Sequence, residues 1–567
     1  MRTRSRISAR AAFARQAMVV VMSFTLFVAT SSEAASTWYV KADAAQGGNG
    51  SRNSAFSTLQ DVETVSKPGD TISIIPSGKP LDGGIQLKDG QRLIGLGDPV
   101  TKANPNSARP TITNRTPRYE GDAIRLATNN VVQNIHIDGA TRAGVFGVNA
   151  RRAQIRNNLV TNNMLDGNNL RDLEARFILY QSQGNHFGGI TLLACGTAAS
   201  SYCVTHAPAT PGIANTDETV ISGNVIRDSN LEGIMLLTDT GVVANYTVTN
   251  NLVRDLSQQL PGPESLTPPV GIVRSRAFTL IALNRSNVTL NMSRFHAENL
   301  APAGNYASDA VVLLTGGDGP IVTAHVSDLV VLNPRQTGEV GNGDSVEIQH
   351  RGSSNAVLNV DLTRAQLRDP ASANIKVLEA SNPSNGTYNI VISDSVLSNA
   401  NPAGIPDAQI RFSGASTGTK AFNLTVRNTR FSGIGGGIGV ANPNNLENLR
   451  VLVENSSFAD LTQPPGTMPI SAVSINHPAN RTLGTAIIDL GGGSLGSRGN
   501  NRFAKRSLAD VSVTNNNSAT APIQVHAARN YWGGGVAVTA PGVPTAVSLN
   551  GNATFSDPTR VTTDRAR

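Results

Sequence analysis

Two short strand signals alternate along this chain, and their order constrains the fold more than any other feature. The first runs small, apolar, outward, apolar, as in "GIQL" at Ile85, "AIRL" at Ile124 and "GITL" at Ile190. It recurs at Val145, Ile234, Val311, Val346, Ile375, Ile410, Ile438, Val473 and Ile523. The second is apolar-x-Asn-x-x-apolar, centred on Asn134, Asn157, Gly223, Asn250, Asp328, Asp394, Asn428, Asn455 and Asn530, with weaker members at Met292 and Arg364. Alternation over four residues is a strand pattern. No hairpin turn joins one strand to the next, so each must pair with its counterpart one turn of a coil further on.

Successive first signals lie 21 to 50 residues apart, except for 77 between Ile234 and Val311, where "AFTLIAL" supplies a degenerate member. A constant strand core at variable spacing is what loop insertions on a solenoid produce. Propeller blades would repeat more evenly, and a sandwich would show hairpin turns. Asn, Asp and Gly at the second signal suit left-handed corners, and stacked Asn can hydrogen-bond along a ladder. The 54 Gly and only 15% charged residues agree with many short strands and turns.

Upstream, "FSTLQDVETVSKPGD" offers Ser57 as N-cap with Gln60 three residues on, and Leu59, Val62 and Val65 along one side of a short helix stopped by Pro68-Gly69. Such a helix covers the open end of a coil. Before it, Arg2, Arg4, Arg6, Arg10 and Arg15 precede the apolar run "AMVVVMSFTLFVAT" and the small-residue site "SEA" at 32–34. This reads as a secretory signal, the run being shorter than the roughly 20 residues of a membrane span. The expected organisation is a signal at 1–34, an N-terminal cap at 35–70, the solenoid at 71–536 with loop insertions at 161–216, and a C-terminal cap and tail at 537–567.

The five Arg and one Glu of the signal reduce 47 basic and 40 acidic residues to 42 and 39, a net of +3 in place of +7. Bulk charge therefore does not indicate nucleic acid as a partner. Export, to the periplasm or beyond the cell, places Cys195 and Cys203 in an oxidising compartment, where they are expected to close "CGTAASSYC" as a disulfide. A monomer without a transmembrane anchor in the mature chain is expected.

The stretch "WYVKADAAQGGNGSRNSAFSTLQDVETVSKPGDTISIIPSG" resembles the opening of right-handed parallel β-helix proteins of the pectate-lyase-like superfamily, and "NYWG" at 530–533 resembles their closing coil. The resemblance spans 38–545. It implies an all-β, right-handed parallel β-helix of about 12–13 coils with a short N-terminal capping helix. It leaves function open, because that superfamily holds polysaccharide lyases, hydrolases, epimerases and non-catalytic surface proteins.

In such a coil the residue between the two apolar positions of the first signal points outward, and neighbouring coils stack these positions about 4.8 Å apart. Glu347, Lys376 and Arg411 then form one column. One reading is β-elimination on a uronic-acid polymer: Arg411 neutralises the substrate carboxylate, Lys376 abstracts the adjacent proton, and Glu347 orients Lys376 or binds hydroxyls. It requires the column to line an open groove bounded by the 161–216 loops. The other reading is a decorated ladder, in which Glu347 raises the Lys376 pKa again. His350, Gln349 and Gln409 flank the column as candidate substrate contacts, and Phe146 and Met235 could stack on sugar rings.

Two positions before the first apolar residue, Asp309 and Asp344 fall on successive coils, close enough to hold a cation such as calcium. Alternatively each caps its turn, with Arg276 or Arg351 as counter-ion. The combined "NTD", "DD" and "GHG" pattern of polygalacturonase-like hydrolases is absent. Two functions remain: an exported enzyme acting on an acidic polysaccharide, as a lyase before a hydrolase or epimerase, and a non-catalytic β-helix that binds glycans or serves at the cell surface.

Overall fold

The computed structural model describes residues 34–97, 109–163, 187–197, 213–229, 232–256, 275–300, 309–334, 343–351, 355–379, 385–400, 408–414, 419–441, 445–462, 471–503, 510–532, 538–539, 543–544 and 547–556. The chain divides into two compact units, Met1–Ala35 and Ser36–Arg567. All but two residues of the first, and with them the signal segment, lie outside the described residues. No helix among the described residues is long and apolar enough to cross a membrane.

The second unit is a right-handed parallel β-helix built of three sheets with 16, 13 and 14 strands. From the second coil on, the chain visits the sheets in turn, and within these three sheets each strand pairs in parallel with the strand one coil away; a short antiparallel pair, Val538–Thr539 with Val543–Pro544, stands apart. The first sheet opens with Thr37–Val40 paired to Thr71–Ile74, so the solenoid begins within the segment expected to be a cap. It also outlasts residue 536, because Val547–Gly551 and Ala553–Ser556 pair in parallel with strands of the third and first sheets.

Local chemistry explains the corners. Between the first and second sheets one residue takes a positive φ: Asn134 (62°), Asn157 (54°), Gly223 (67°), Asn250 (56°), Asp328 (53°) and Asp394 (52°) among others. These are residues that tolerate the left-handed region. In two coils the sequence placed that corner wrongly, since Arg294 and Arg529 adopt it beside Met292 and Asn530. The stacked amides sit one residue later. Asn158 Nδ2 donates to Asn224 Oδ1 at 3.0 Å and Asn224 Nδ2 to Asn251 Oδ1 at 3.0 Å, all three fully buried.

The first signal is the third sheet. Its inward column runs through Ile85, Ile124, Val145, Ile190, Ile234, Phe278, Val311, Val346, Ile375, Ile410, Ile438, Val473 and Val511. Phe278 of "AFTLIAL" fills the expected gap. Ile523, in contrast, lies in a strand of the first sheet that pairs with Ala553–Ser556. Inside the second sheet Phe431, Phe458, Phe503 and Trp532 stack with centroids 4.5, 5.3 and 4.4 Å apart. Trp532 belongs to "NYWG".

The capping helix spans Leu59–Val65 with Leu59 and Val62 buried. Its N-cap is Thr58, not Ser57: the Thr58 hydroxyl accepts from the Asp61 amide and donates to the Asp61 carboxylate at 2.6 Å. That reciprocal pair satisfies two groups at once, which the Ser57–Gln60 pairing would not improve.

Candidate functional site

On the outer face of the third sheet the register stacks Val312, Glu347, Lys376 and Arg411 on consecutive coils. A second row, three residues earlier on each coil and two before the inward apolar residue, holds Glu232, Arg276, Asp309 and Asp344. The two lean together. Single carboxylate oxygens of Asp309, Asp344 and Glu347 all lie within 4.8 Å of one another, and Asp344 Oδ2 is 3.3 Å from Lys376 Nζ. One coil back, Arg276 Nη1 lies 3.7 Å from Glu232 Oε1, and the Thr279 hydroxyl donates to Glu232 Oε2 at 2.6 Å.

Asp309 and Asp344 each spend one oxygen on the backbone. The amides of Gly343 and Asp344 donate to Asp309 Oδ1 at 3.2 and 3.1 Å, and the Ala373 amide donates to Asp344 Oδ1 at 2.8 Å. Turn capping and carboxylate convergence therefore coexist. The counter-ion of Asp344 is Lys376, in place of the expected Arg276 or Arg351; Arg276 faces Glu232.

The cluster is buried, so Glu347 and Lys376 do not line the open groove that the β-elimination reading requires. Glu347 is 1% exposed and Lys376 7%, while Arg411 is half-buried. Of the 161–216 insertions, residues 164–186 and 198–212 lie outside the described residues. The outer face on the N-terminal side is an apolar cluster that includes Phe146, Phe187, Met235, Leu237, Ile281 and Leu314. Phe146 and Met235 are thus packing residues, not exposed sugar platforms.

Burial reshapes the acid–base chemistry. Burial pushes the Lys376 ammonium toward deprotonation, but Asp344, Glu347 and Asp309 outweigh it, and the net shift is upward. Lys376 is a cation, the wrong protonation state for a general base. Asp344 is pushed up to about 6, by burial first and by Asp309, against the pull of Lys376. Glu232 rises to about 7, again by burial first, despite Arg276 and Thr279.

The flanking candidates also move. His350 faces the interior, with Nδ1 2.9 Å from the Thr315 hydroxyl, because positions alternate along the strand and Glu347 points out. Gln409 donates to the Ser432 carbonyl at 2.7 Å and Gln349 is 1% exposed, so both are removed from a ligand's reach. Cys195 ends the buried strand Gly188–Cys195, and Cys203 lies outside the described residues. Glu232 and Thr279 escaped the sequence reading, which named Arg276 only as a counter-ion, although the offset that found Asp309 reaches Glu232 in "EGIM" and the outward position of "FTL" is Thr279.

The fold and this face together define a parallel β-helix protein with a buried ionic cluster on its third sheet. No protein-family model matches the sequence, and no curated protein matches it. Among solved structures, it is similar to a mutant of the periplasmic alginate epimerase AlgG, at 11% identity over 70% of this chain and 84% of that one, with a TM-score of 0.27. A polygalacturonase from Erwinia carotovora ssp. carotovora matches at 10% identity over 94% and 98%, TM-score 0.23. An alginate lyase of the PL6 family, AlyGC, matches at 11% over 94% and 99%, TM-score 0.20. At such scores the likeness assigns no activity, and the fold rests on strand order and register.

Proposed function

We propose that the protein is an exported β-helix that binds a polysaccharide, and that the charged column on its third sheet is an internal ion cluster in place of a reaction centre. The burial of Glu347 and Lys376 carries this reading. A polymer must bring a sugar proton within hydrogen-bond reach of a neutral base. Here the candidate base is enclosed and held as an ammonium by Asp344. With that charge neutralised internally, the column also loses the positive face that argued for an acidic polymer. The glycan itself is what the superfamily resemblance implies.

Asp309, Asp344 and Glu347 would hold a hard cation such as calcium, which supplies neutralising charge; buried, convergent carboxylate oxygens suit it. Export accords with Cys195 and Cys203 forming a disulfide, and a closed solenoid of this kind suits a monomer.

One observation favours a second reading, β-elimination on a uronate polymer: Arg411, at the end of the column, is half-buried and within the span of a guanidinium from solvent. The test is ultraviolet absorbance from unsaturated uronides, with a reducing-end assay, on pectate, alginate, hyaluronan and chondroitin, with calcium or chelator. No signal in either assay, with retained binding to a glycan, is expected. Absorbance abolished in Arg411→Ala would overturn the non-catalytic reading in favour of a lyase, and reducing ends without absorbance would favour a hydrolase.

A further inference from the structure

At the N-terminal end of the same sheet, a pocket of about 320 Å³ is lined by Gln86, Arg125, Thr128, Phe146 and Asn149 with Asp89 at its rim. This is the lower range of small-ligand sites. It lies on the outward column that leads to Glu347, but five coils away, roughly 24 Å at strand spacing. The apolar cluster around Met235 and Ile281 separates the two, so the pocket is not an arm of the ionic cluster.

Its wall is built at a conformational cost. Tyr119 and Glu120 are consecutive residues at positive φ, 53° and 54°. Non-glycine residues held there cost of order 1–3 kcal/mol each, and such strain gathers at functional sites. What the strained pair does is hold Arg125. The Glu120 carboxylate lies 3.2 Å from Arg125 Nη2, Asp122 Oδ2 accepts from Arg125 Nε at 2.8 Å, and the guanidinium carbon stands 5.5 Å from the Tyr119 centroid and 5.6 Å from that of Phe146. Arg125 therefore enters the pocket as a fixed, flat donor, and because Arg142 also pairs with Glu120 and Asp122, two guanidiniums there face two carboxylates.

We infer that this pocket binds a neutral, hydroxyl-rich sugar ring, which deepens the glycan-binding reading above and rests on it. Ala127 and Val148 give an apolar patch for the ring's C–H face. Gln86, Thr128 and the Arg125 guanidinium offer donors and acceptors for hydroxyls. A uronate is disfavoured, because Asp122 and Glu120 offset both Arg125 and Arg142, and Asp89 in the lining adds a further negative charge.

The test is calorimetric titration of the purified protein with cellohexaose, xylohexaose and mannohexaose, and with oligogalacturonate of equal length. At least one neutral oligosaccharide is expected to bind, tenfold or more tightly than oligogalacturonate. Ala127→Trp, which fills the pocket, is expected to weaken binding at least tenfold; Gln86→Ala, which removes one half-buried side chain and its bonds to the Leu87 and Leu126 carbonyls, is expected to weaken binding several-fold in protein that still melts cooperatively. Lys376→Met is expected to leave affinity unchanged. A glycan bound equally by wild type and by both pocket variants would overturn the pocket while the glycan-binding reading stands. Tighter binding of oligogalacturonate would overturn the neutral assignment, and binding of none would overturn both.

Discussion

Asp344 Oδ2 lies 3.3 Å from Lys376 Nζ, with both side chains withdrawn from water. The pair joins two consecutive coils through side chains, where the backbone ladder already joins them. Two further carboxylates, Asp309 and Glu347, face the same ammonium. The ammonium is shared among three carboxylates, and the consequences are measurable.

Lys376→Met removes the one ammonium of this pair and leaves Asp344 buried beside two other acids. Breaking a buried pair from one side costs about 3–5 kcal/mol. Adding Asp344→Asn keeps the bond from the Ala373 amide while removing the stranded charge, so the double variant is expected to regain most of the loss. Urea midpoints of the four proteins check this. A Lys376→Met variant as stable as wild type would show that the cluster bears no structural role.

Calcium is expected to raise the melting temperature and chelator to lower it, since a ligand bound only by the folded state stabilises by RT ln(1 + [L]/Kd), about 2.7 kcal/mol at a hundredfold excess over Kd. Asp309→Asn together with Glu347→Gln should abolish the response. Scanning calorimetry of both proteins, with magnesium as the comparison cation, decides it.

The coil was legible because each of its rules is local. Residues between two apolar positions point outward, so "SVEI", "NIKV" and "QIRF" were enough to stack Glu347, Lys376 and Arg411. The degenerate coil at "AFTLIAL" was found the same way. Burial was not legible: alternation tells which face Lys376 occupies, not what lies over that face. The same limit hid the Lys376 proton, because its pKa depends on Asp344, thirty-odd residues away. Ile523 was misplaced because a short apolar strand reads alike in the first and third sheets, and the local pattern does not say which.

Glu232 gives the stability a pH dependence of unusual sign. Its carboxyl ordinarily titrates near 4.5 and is pushed up to about 7, chiefly by burial. The folded state then holds a proton the unfolded chain has lost, so this contribution is full below about 4.5 and fades as pH rises to about 7. Asp344, raised from 3.8 to about 6, acts in the same sense over a lower window. His136 and His477, which burial pushes below 6.5, oppose both. The comparison is therefore between wild type and Glu232→Gln, which stays neutral. Relative to wild type, the variant is expected to gain stability steadily from pH 4.5 to 7 in thermal melts; parallel curves would mean that Glu232 titrates normally.

The amide ladder makes the last prediction, and it concerns the coil itself. Asn224 Oδ1 accepts from both the backbone and the side-chain amide of Asn158, and its own Nδ2 donates to the Ile155 carbonyl and to Asn251 Oδ1, all between 2.9 and 3.0 Å. Every one of these groups is buried, so Asn224→Ala breaks four bonds at once, with only Asn158 Nδ2, through the Val132 carbonyl, and Asn251 Oδ1, through the Asn224 backbone amide, keeping another of the ladder's bonds. Each unsatisfied buried group costs about 1–3 kcal/mol. A loss of at least about 3 kcal/mol is expected, exceeding that for Asn389→Ala, whose bonds to Asn359 and Asn423 lie on the half-buried outer face of the first sheet where water replaces them. Hydrogen exchange should show the loss confined to the coils on either side of Asn224, because a solenoid transmits stability only through nearest-neighbour interfaces. Uniform loss of protection along the whole chain would mean that the helix unfolds as one unit and that the ladder is a global clamp.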